Sequence, residues 1–320
     1  MTNTYLHNKF ISIMLKYKDL IKPLSILIAL SGGKDSLCLI RLIEDFNNKY
    51  DYFTKVEYIY IDHQWRSDSK QNIEHLLNYI SITNNHTYIY QISKIGTSES
   101  TMRNMRYQTI VKHAIQNRHQ IIMTGHNQTD QIETFLLNLI RGTGLEGLSS
   151  LPYMRKITDQ IQVIRPMIQI NTGDILWFCR KFNLPIWSDK TNFYYTNCRN
   201  RIRYELVPYL KEYFNPKIES NIINFLHLSS TENEYIKQNS IKLYLASRHS
   251  RYIAINYRII KNQHLALQKR VLNIFFYYNF NKYLSTHIFN QLTTFKYQKK
   301  LTIVWETLKI KVYKNWIYIQ

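Results

Sequence analysis

At 320 residues, with 45% hydrophobic and 20% charged side chains, the chain is long enough for two domains and has the balance of a globular protein. No apolar run is long enough for a membrane span, and three cysteines without a Cys-x-x-Cys pair argue against a disulfide framework, a zinc site or an iron–sulfur cluster. The net charge of +20 instead predicts a polyanionic partner such as nucleic acid.

The basic residues are concentrated towards the end of the chain. Residues 213–320 hold 16 Lys and Arg against 4 Asp and Glu, and the chain contains 26 tyrosines. Such a surface neutralises phosphates and stacks on bases. An A+T-rich genome also enriches Ile, Lys, Asn and Tyr, so mutational bias is a second source of this composition.

Strands and helices alternate along the first half of the chain. After a helix over 5–20, apolar periodicity predicts strands over 25–30, 55–61, 87–92 and 120–124, and helices over 36–48, 69–82, 100–118 and 129–141. This alternation predicts an α/β fold with a doubly wound parallel sheet. Ligands of such sheets bind beyond the carboxyl ends of the strands.

The first strand runs into a turn with the sequence Ser31-Gly32-Gly33-Lys34-Asp35-Ser36, which opens the next helix. Two glycines let backbone N–H groups approach a ligand, and the helix N-terminus adds positive potential. This pattern predicts a phosphate cradle, although the common mononucleotide-loop spacing is absent. Asp35 would repel bare phosphates, so its presence predicts a Mg²⁺ ion between carboxylate and phosphate.

Two further polar clusters follow strand ends, at 61–66 and 124–134. On the helix after the last of these strands, Asp130 and Glu133 lie three residues apart on the predicted polar side, and a stripe of apolar residues is predicted to be buried. The stripe consists of Ile132, Phe135, Leu136, Leu139 and Ile140. His126 has neither a cysteine nor a second histidine at ligand spacing, which excludes a zinc site there.

Several arginines occur where they can bind phosphate or a nucleobase. Arg103 and Arg106 are neighbours on one helix, and Arg199 and Arg203 share a face of a later amphipathic helix that runs to about residue 211. Arg141 precedes a glycine cluster at 142–147. Exposed basic helix faces are an alternative explanation for these arginines.

The pattern breaks near Asn215-Pro216, which predicts a catalytic domain over 1–212 and a smaller, mixed α+β, basic domain over 217–320. A helix is predicted over 172–182 in the first domain. In the second, helices are predicted over 217–247, 262–279 and 286–297, and alternating residues predict short strands over 301–319. The second domain carries charge and aromatic residues but no catalytic constellation.

The motifs together resemble those of a known family. The loop Ser31–Ser36 resembles the signature of the PP-loop ATP pyrophosphatases, which have an adenine nucleotide alpha hydrolase-like fold. The ordered set of motifs resembles the tRNA(Ile)-lysidine synthetase family from Ile26 to about Pro208. The other motifs of this set are the stretches 62–66, 103–107, 126–134, 141–148, 165–166, 189–192 and 199–203. Thr129 stands where many members have an additional acid.

The resemblance implies a ligase that forms a carbon–nitrogen bond on the wobble cytidine of the isoleucine tRNA with a CAU anticodon. ATP would adenylate the C2 oxygen with loss of pyrophosphate, and L-lysine would then displace AMP at C2 to give lysidine, so that the tRNA reads AUA. ATP and Mg²⁺ are the implied cofactors, and a homodimer is left open.

The resemblance also implies roles for individual residues. ATP would be bound by Ser31, Gly32, Gly33, Lys34, Asp35, Ser36, Asp62 and His63. The implied catalytic residues are Asp35, Asp130, Glu133, Arg141, Arg199 and Arg203. Of these, Asp35 and Asp130 would hold Mg²⁺, Asp130 with Glu133 could instead receive the lysine proton, and the arginines would steady charge on the adenylated base.

Two rival functions remain from the sequence: a tRNA thiolating enzyme of the same superfamily, which generally needs cysteine pairs, and a non-catalytic RNA-binding protein. A glutamine-dependent amidating enzyme is disfavoured, because no domain with an N-terminal nucleophilic cysteine precedes the loop Ser31–Ser36. The A+T-rich composition without a transit peptide predicts a plastid-encoded protein of the chloroplast stroma, or else the cytoplasm of an A+T-rich bacterium.

Overall fold

The computed structural model describes residues 3–17, 25–62, 69–81, 83, 85–92, 99–149, 151–186, 198–294, 300–313 and 315–319. The chain divides into two compact units, Met1–Phe225 and Leu226–Gln320, and the division falls within a long helix. The predicted domain limits, 1–212 and 217–320, are not tested by this division and stay predictions. Among the described residues, no helix is both long and apolar enough to cross a membrane.

The first unit contains a six-stranded sheet of order β3-β2-β1-β4-β6-β5. Its strands are β1 (Ser25–Leu30), β2 (Lys55–Asp62), β3 (Thr87–Gln91), β4 (Ile121–Thr124), β5 (Met154–Lys156) and β6 (Gln162–Ile164). All neighbours are parallel except β5, which pairs antiparallel with β6. The two strands beyond β4 were not predicted from the sequence.

The helices of this unit match the predicted alternation. They are α1 (Tyr5–Lys16), α2 (Lys34–Tyr50), α3 (Ser69–Ile80), α4 (Glu99–Gln116), α5 (Gln128–Ile140), α6 (Leu145–Leu148), α7 (Thr172–Lys181), α8 (Cys198–Arg201) and α9 (Val207–Tyr213). A π-helical segment, Ile202–Leu206, joins α8 to α9. Pro208 has no N–H to continue the α-helical ladder, which favours a wider turn before it.

Both faces of the sheet are covered, as a doubly wound fold requires. Alternate residues of β1 point to opposite sides: Ile26 and Ile28 join a core with α1, α2 and α7, whereas Leu27 joins a second core with α4. The predicted parallel α/β architecture is therefore confirmed.

A buried polar network connects the amino ends of β1 and β2 with His119, which precedes β4. His119 Nε2 lies 2.7 Å from Glu57 Oε2, its Nδ1 lies 2.6 Å from Ser25 Oγ, and Lys55 Nζ lies 2.9 Å from Glu57 Oε1. Each charged group in the network is paired, as burial demands. The network fixes the strands at the edge opposite their carboxyl ends.

The second unit contains most of the long helix α10 (Ile218–Ser247), followed by α11 (Tyr257–Ile260), α12 (Leu265–Phe280) and α13 (Thr286–Thr294). Its antiparallel sheet has the order β7-β10-β9-β8, built from β7 (Ala254–Asn256), β8 (Lys300–Trp305), β9 (Leu308–Tyr313) and β10 (Trp316–Ile319). The inward residues Ile310 and Val312 join a core with α12 and α13. The predicted mixed α+β character of this region is confirmed.

Candidate functional site

The turn between β1 and α2 forms a closed loop. Ser36 Oγ accepts a hydrogen bond from the Ser31 backbone N–H at 3.0 Å and lies 2.8 Å from Ser31 Oγ. Gly32 has a φ of 76°, a left-handed conformation that favours glycine. Gly33 is the N-cap of α2 and provides no side-chain cap, so the first N–H groups of the helix remain directed at the loop. This geometry suits a phosphate.

Gly125, directly after β4, packs against this loop. A Cβ at this position would lie 3.1 Å from the Asp35 carbonyl carbon and 3.2 Å from the Asp35 carbonyl oxygen. Those contacts are with backbone atoms, which cannot swing aside as a side chain can. The close approach of β4 to the loop therefore requires glycine.

Asn127 connects two carboxylates that are far apart in sequence. Its side-chain Nδ2 donates to Asp35 Oδ1 at 2.9 Å, and its backbone N–H donates to Asp130 Oδ2 at 2.9 Å. The same side chain is the N-cap of α5, where its Oδ1 accepts from the N–H groups of Thr129 and Asp130. Asn127 thus caps a helix and holds Asp35 with its side chain, and it holds Asp130 with its backbone N–H.

The electrostatics of this pair favour a cation. Burial raises the pKa of Asp35, and the nearby Asp130 raises it further, whereas Lys34 and the Asn127 hydrogen bond lower it. Two neighbouring carboxylates present the hard oxygen ligands that Mg²⁺ prefers. Asp35 and Asp130 therefore fit the predicted metal, and their mutual repulsion would be relieved by it.

Glu133 and Arg203 form a largely enclosed ion pair next to this centre. Arg203 Nε lies 2.5 Å from Glu133 Oε1, and Arg203 Nη2 lies 4.0 Å from Asp130 Oδ1. Glu133 is buried rather than exposed on a polar side, and burial raises its pKa while Arg203 lowers it. Arg199 Nη2 donates to Thr134 Oγ1 at 3.4 Å. Both arginines of the predicted face therefore reach α5.

The acids and the phosphate loop open into a cavity of about 630 Å³ at the carboxyl ends of β1 and β4. Ser31, Asp35, Ser36 and Asp130 line it. His126 also lines it, with Nδ1 2.8 Å from Thr124 Oγ1, and burial lowers the pKa of His126 to about 4. The imidazole is therefore neutral near pH 7.

The resemblance also implies roles for Asp62, His63 and Arg141. Asp62 is buried at the carboxyl end of β2, and His63 lies outside the described residues. Arg141 is the C-cap of α5, about 16 Å along the helix axis from Asp130 at 1.5 Å per residue. Leu139 and Ile140, predicted to be buried, are 51% and 69% exposed because the buried stripe of α5 stops at Leu136. The roles of Asp62, His63 and Arg141 stay predictions.

Sequence reasoning missed Asn127. Its signal is the spacing Asn127-x-x-Asp130 directly after a strand, which is a capping box. The cap is a local feature and readable from the sequence. The bond to Asp35 spans 92 residues and is set only by the pairing of β1 with β4.

Comparison with known proteins agrees with this architecture. A family model described as a PP-loop domain matches residues 6–210, so the chain belongs to the PP-loop family. A solved structure titled "U34-tRNA thiolase NcsA from Methanococcus maripaludis with its 4Fe-4S cluster" has a similar fold, with a TM-score of 0.57 and 16% identity over 70% of this chain and 80% of that one. At that identity the likeness concerns the fold alone.

Comparison with sequence relatives identifies the family within the PP-loop proteins. The chloroplastic tRNA(Ile)-lysidine synthase of Gracilaria tenuistipitata var. liui is 84% identical over 100% of both chains. That of Pyropia yezoensis is 37% identical over 89% of this chain and 86% of its own, and the enzyme of a Nostoc species is 37% identical over 77% and 76%. The chain belongs to the tRNA(Ile)-lysidine synthase family.

Proposed function

We propose that this protein ligates L-lysine to C2 of the wobble cytidine of the CAU-anticodon isoleucine tRNA, at the cost of ATP cleaved to AMP and pyrophosphate. The observation that carries the proposal is the pair of carboxylates, Asp35 and Asp130, held by Asn127 beside a phosphate loop. Simple binding of a polyanion gains nothing from acids at that place, whereas phosphoryl transfer with Mg²⁺ does.

In the first step the cytidine C2 oxygen attacks the α-phosphorus of ATP and pyrophosphate leaves. The loop Ser31–Ser36 and the N-terminus of α2 would hold the leaving pyrophosphate through backbone N–H groups. Asp35 and Asp130 would hold Mg²⁺ between them. Bound there, the ion supplies charge neutralisation to the phosphates.

In the second step the ε-amino group of lysine forms a bond to C2, the C2–oxygen bond breaks and AMP leaves. The lysine ammonium must first lose a proton. Asp130 and Glu133 supply the anionic surroundings for it, and the raised pKa of Glu133 makes that carboxylate a better proton acceptor than an ordinary one. Arg203 and Arg199, whose side chains contact α5, would stabilise negative charge on the departing phosphate.

The second unit is proposed to bind tRNA, as its charge suggests. The outward residues of β9 are Lys309, Lys311 and Tyr313, all exposed. Lysines neutralise phosphates, and an exposed tyrosine beside them offers a face for stacking. A Lys309→Ala/Lys311→Ala variant should bind tRNA more weakly with a shallower salt dependence, whereas Lys49→Ala, which removes an exposed lysine from the last turn of α2, should not.

Thiolation of tRNA is the nearest rival. Cys38 and Cys179 are buried and Cys198 is exposed, so the three thiols offer one accessible sulfur rather than a pair. We therefore favour lysine as the second substrate. Because two of the relatives above are named as chloroplastic, the chloroplast stroma is the proposed location.

The test is incorporation of radiolabelled lysine into an unmodified CAU isoleucine tRNA transcript, with ATP and Mg²⁺. We expect incorporation that requires ATP and does not occur on an elongator methionine tRNA. Asp35→Asn and Asp130→Asn should abolish incorporation while tRNA binding persists. Formation of AMP without labelled RNA would refute lysine as the nucleophile, and full activity of both variants would refute the roles of the acids.

A further inference from the structure

The cavity that holds Asp35 and Asp130 also has a cationic wall. Its further lining residues include Arg103, Arg155, Lys156 and Arg165. Charges of both signs act on His126: burial lowers its pKa, Asp130 raises it, and Arg165 and Arg103 lower it further. The cavity therefore offers negative and positive groups to one ligand.

Arg165 is the most enclosed of these cations. It is 6% exposed and follows β6, where its backbone N–H donates to Tyr153 O and its Nη1 donates to Pro152 O at 2.9 Å. Its Nε is buried and finds no hydrogen-bond partner in the described part of the chain. Burial lowers the pKa of Arg165, Tyr107 raises it, and Arg155 and Arg103 lower it further.

Tyr107, on α4, lines the same cavity and also carries a buried polar atom without a partner in the described part of the chain. Its hydroxyl is buried and likewise has no hydrogen-bond partner among the described residues. Burial raises the pKa of Tyr107 and the charge of Arg165 lowers it, and both residues line the same cavity. Buried polar groups without partners are rare in native proteins and call for an explanation such as an absent ligand.

The Nε of a guanidinium and a phenol hydroxyl, both without a partner among the described residues, fit a carboxylate, which accepts from both. We propose that Arg165 and Tyr107 bind the α-carboxylate of the amino-acid substrate, while its side-chain ammonium points to Asp130. This inference rests on the proposed function. The proposed contacts fix the orientation of the amino acid in the cavity. Its carboxylate faces the cationic Arg165, and its side-chain ammonium faces the anionic Asp130.

The other anions of the reaction are less suitable. The phosphates of ATP have the loop Ser31–Ser36, and the target base is neutral. A phosphate of the RNA backbone is a large, solvated group, whereas Arg165 is nearly enclosed and suits a small anion that enters the cavity. The carboxylate of lysine is the remaining anion, and it takes no part in bond making or breaking.

The test compares L-lysine with L-lysinamide, which lacks the carboxylate charge, as substrates of the full-length protein. The wild type should strongly prefer lysine. Arg165→Lys and Tyr107→Phe should raise KM for lysine, on the order of 100-fold for the arginine, and should reduce the preference over lysinamide. Arg180→Gln, a change at an exposed arginine of α7, should leave the preference unchanged.

The first half-reaction provides the control for folding, because adenylation of tRNA needs no lysine. Pyrophosphate release on addition of ATP and tRNA should proceed at the wild-type rate in both variants. An unchanged preference for lysine over lysinamide would refute the subsite. Loss of pyrophosphate release in Tyr107→Phe and Arg165→Lys alike would place these residues in the nucleotide or RNA site instead. A wild type that adenylates tRNA but accepts neither amine would refute the proposed function itself.

Discussion

Replacement of Asn127 by alanine should destabilise the protein more than the loss of an ordinary helix cap. The side chain makes two separable contributions. As an N-cap of α5 it contributes about 1 kcal/mol. Its hydrogen bond to the partly buried Asp35 carboxylate, 2.9 Å long, adds about 1.5–3 kcal/mol because the acceptor is charged. Asn127→Ala should therefore lower the free energy of unfolding by about 2.5–4 kcal/mol.

Urea denaturation followed by circular dichroism measures this difference in the free energy of unfolding. Two further variants separate the contribution of the helix cap from that of the Asp35 hydrogen bond. Asn127→Ser retains a cap and should lose only the contribution of the Asp35 bond. Asn171→Ala removes the N-cap of α7, whose amide donates to the half-buried Asp174, and should cost about 1 kcal/mol. Equal losses for Asn127→Ala and Asn171→Ala would show that the bond to Asp35 contributes nothing, and the reasoning would fail.

Three other changes test separate features. Gly125→Ala should weaken ATP binding and lower the free energy of unfolding by about 1–3 kcal/mol, because the added methyl group presses on the phosphate loop. Gly144→Ala, with open space around its Cβ position, should not affect ATP binding. Equal effects of the two substitutions would refute the close packing at Gly125. Arg203→Met should cost about 3–5 kcal/mol in urea denaturation by leaving Glu133 without its cation; a loss below 1 kcal/mol would contradict an enclosed pair. The pKa of His126 is lowered in the folded state, so the unfolded chain binds its proton first and stability should fall as pH drops from about 6.5 to about 4, by at most about 3 kcal/mol. His126→Gln should flatten that part of the pH profile, and an unchanged profile would refute it.

Strand β1 and helix α2 were predictable because each carries its own signal. Five consecutive apolar residues from Ile26 mark a strand buried on both faces, and the observed Ser25–Leu30 agrees with the predicted 25–30. Helix α2 begins two residues earlier than predicted, at Lys34, directly after its N-cap Gly33. Such elements follow from local residues alone.

Short strands were missed for the opposite reason. Strands β5, β6 and β7 have three residues each, too few to display an alternation, and they exist because a neighbouring strand supplies hydrogen bonds. The predicted helix over 286–297 is observed to Thr294, with 295–299 outside the described residues.

The candidate site was predictable in its residue types but not in its contacts. Asp35, Asp130 and the phosphate loop could be proposed because parallel strands bring their carboxyl ends to one edge. The buried Glu133–Arg203 pair and the hydrogen bond from Asn127 to Asp35 connect residues 70 and 92 positions apart, and nothing in the local sequence specifies them. The unpartnered groups of Arg165 and Tyr107 depend in the same way on tertiary packing.

The distribution of the three thiols has a practical consequence. Cys38 and Cys179 are buried in the first core, whereas Cys198 is exposed at the start of α8, directly before Arg199. A maleimide fluorophore should therefore attach at a single position without any engineering of the chain. Because Arg199 and Arg203 in the following residues contact α5, such a dye would stand beside the segment that holds the Glu133 ion pair.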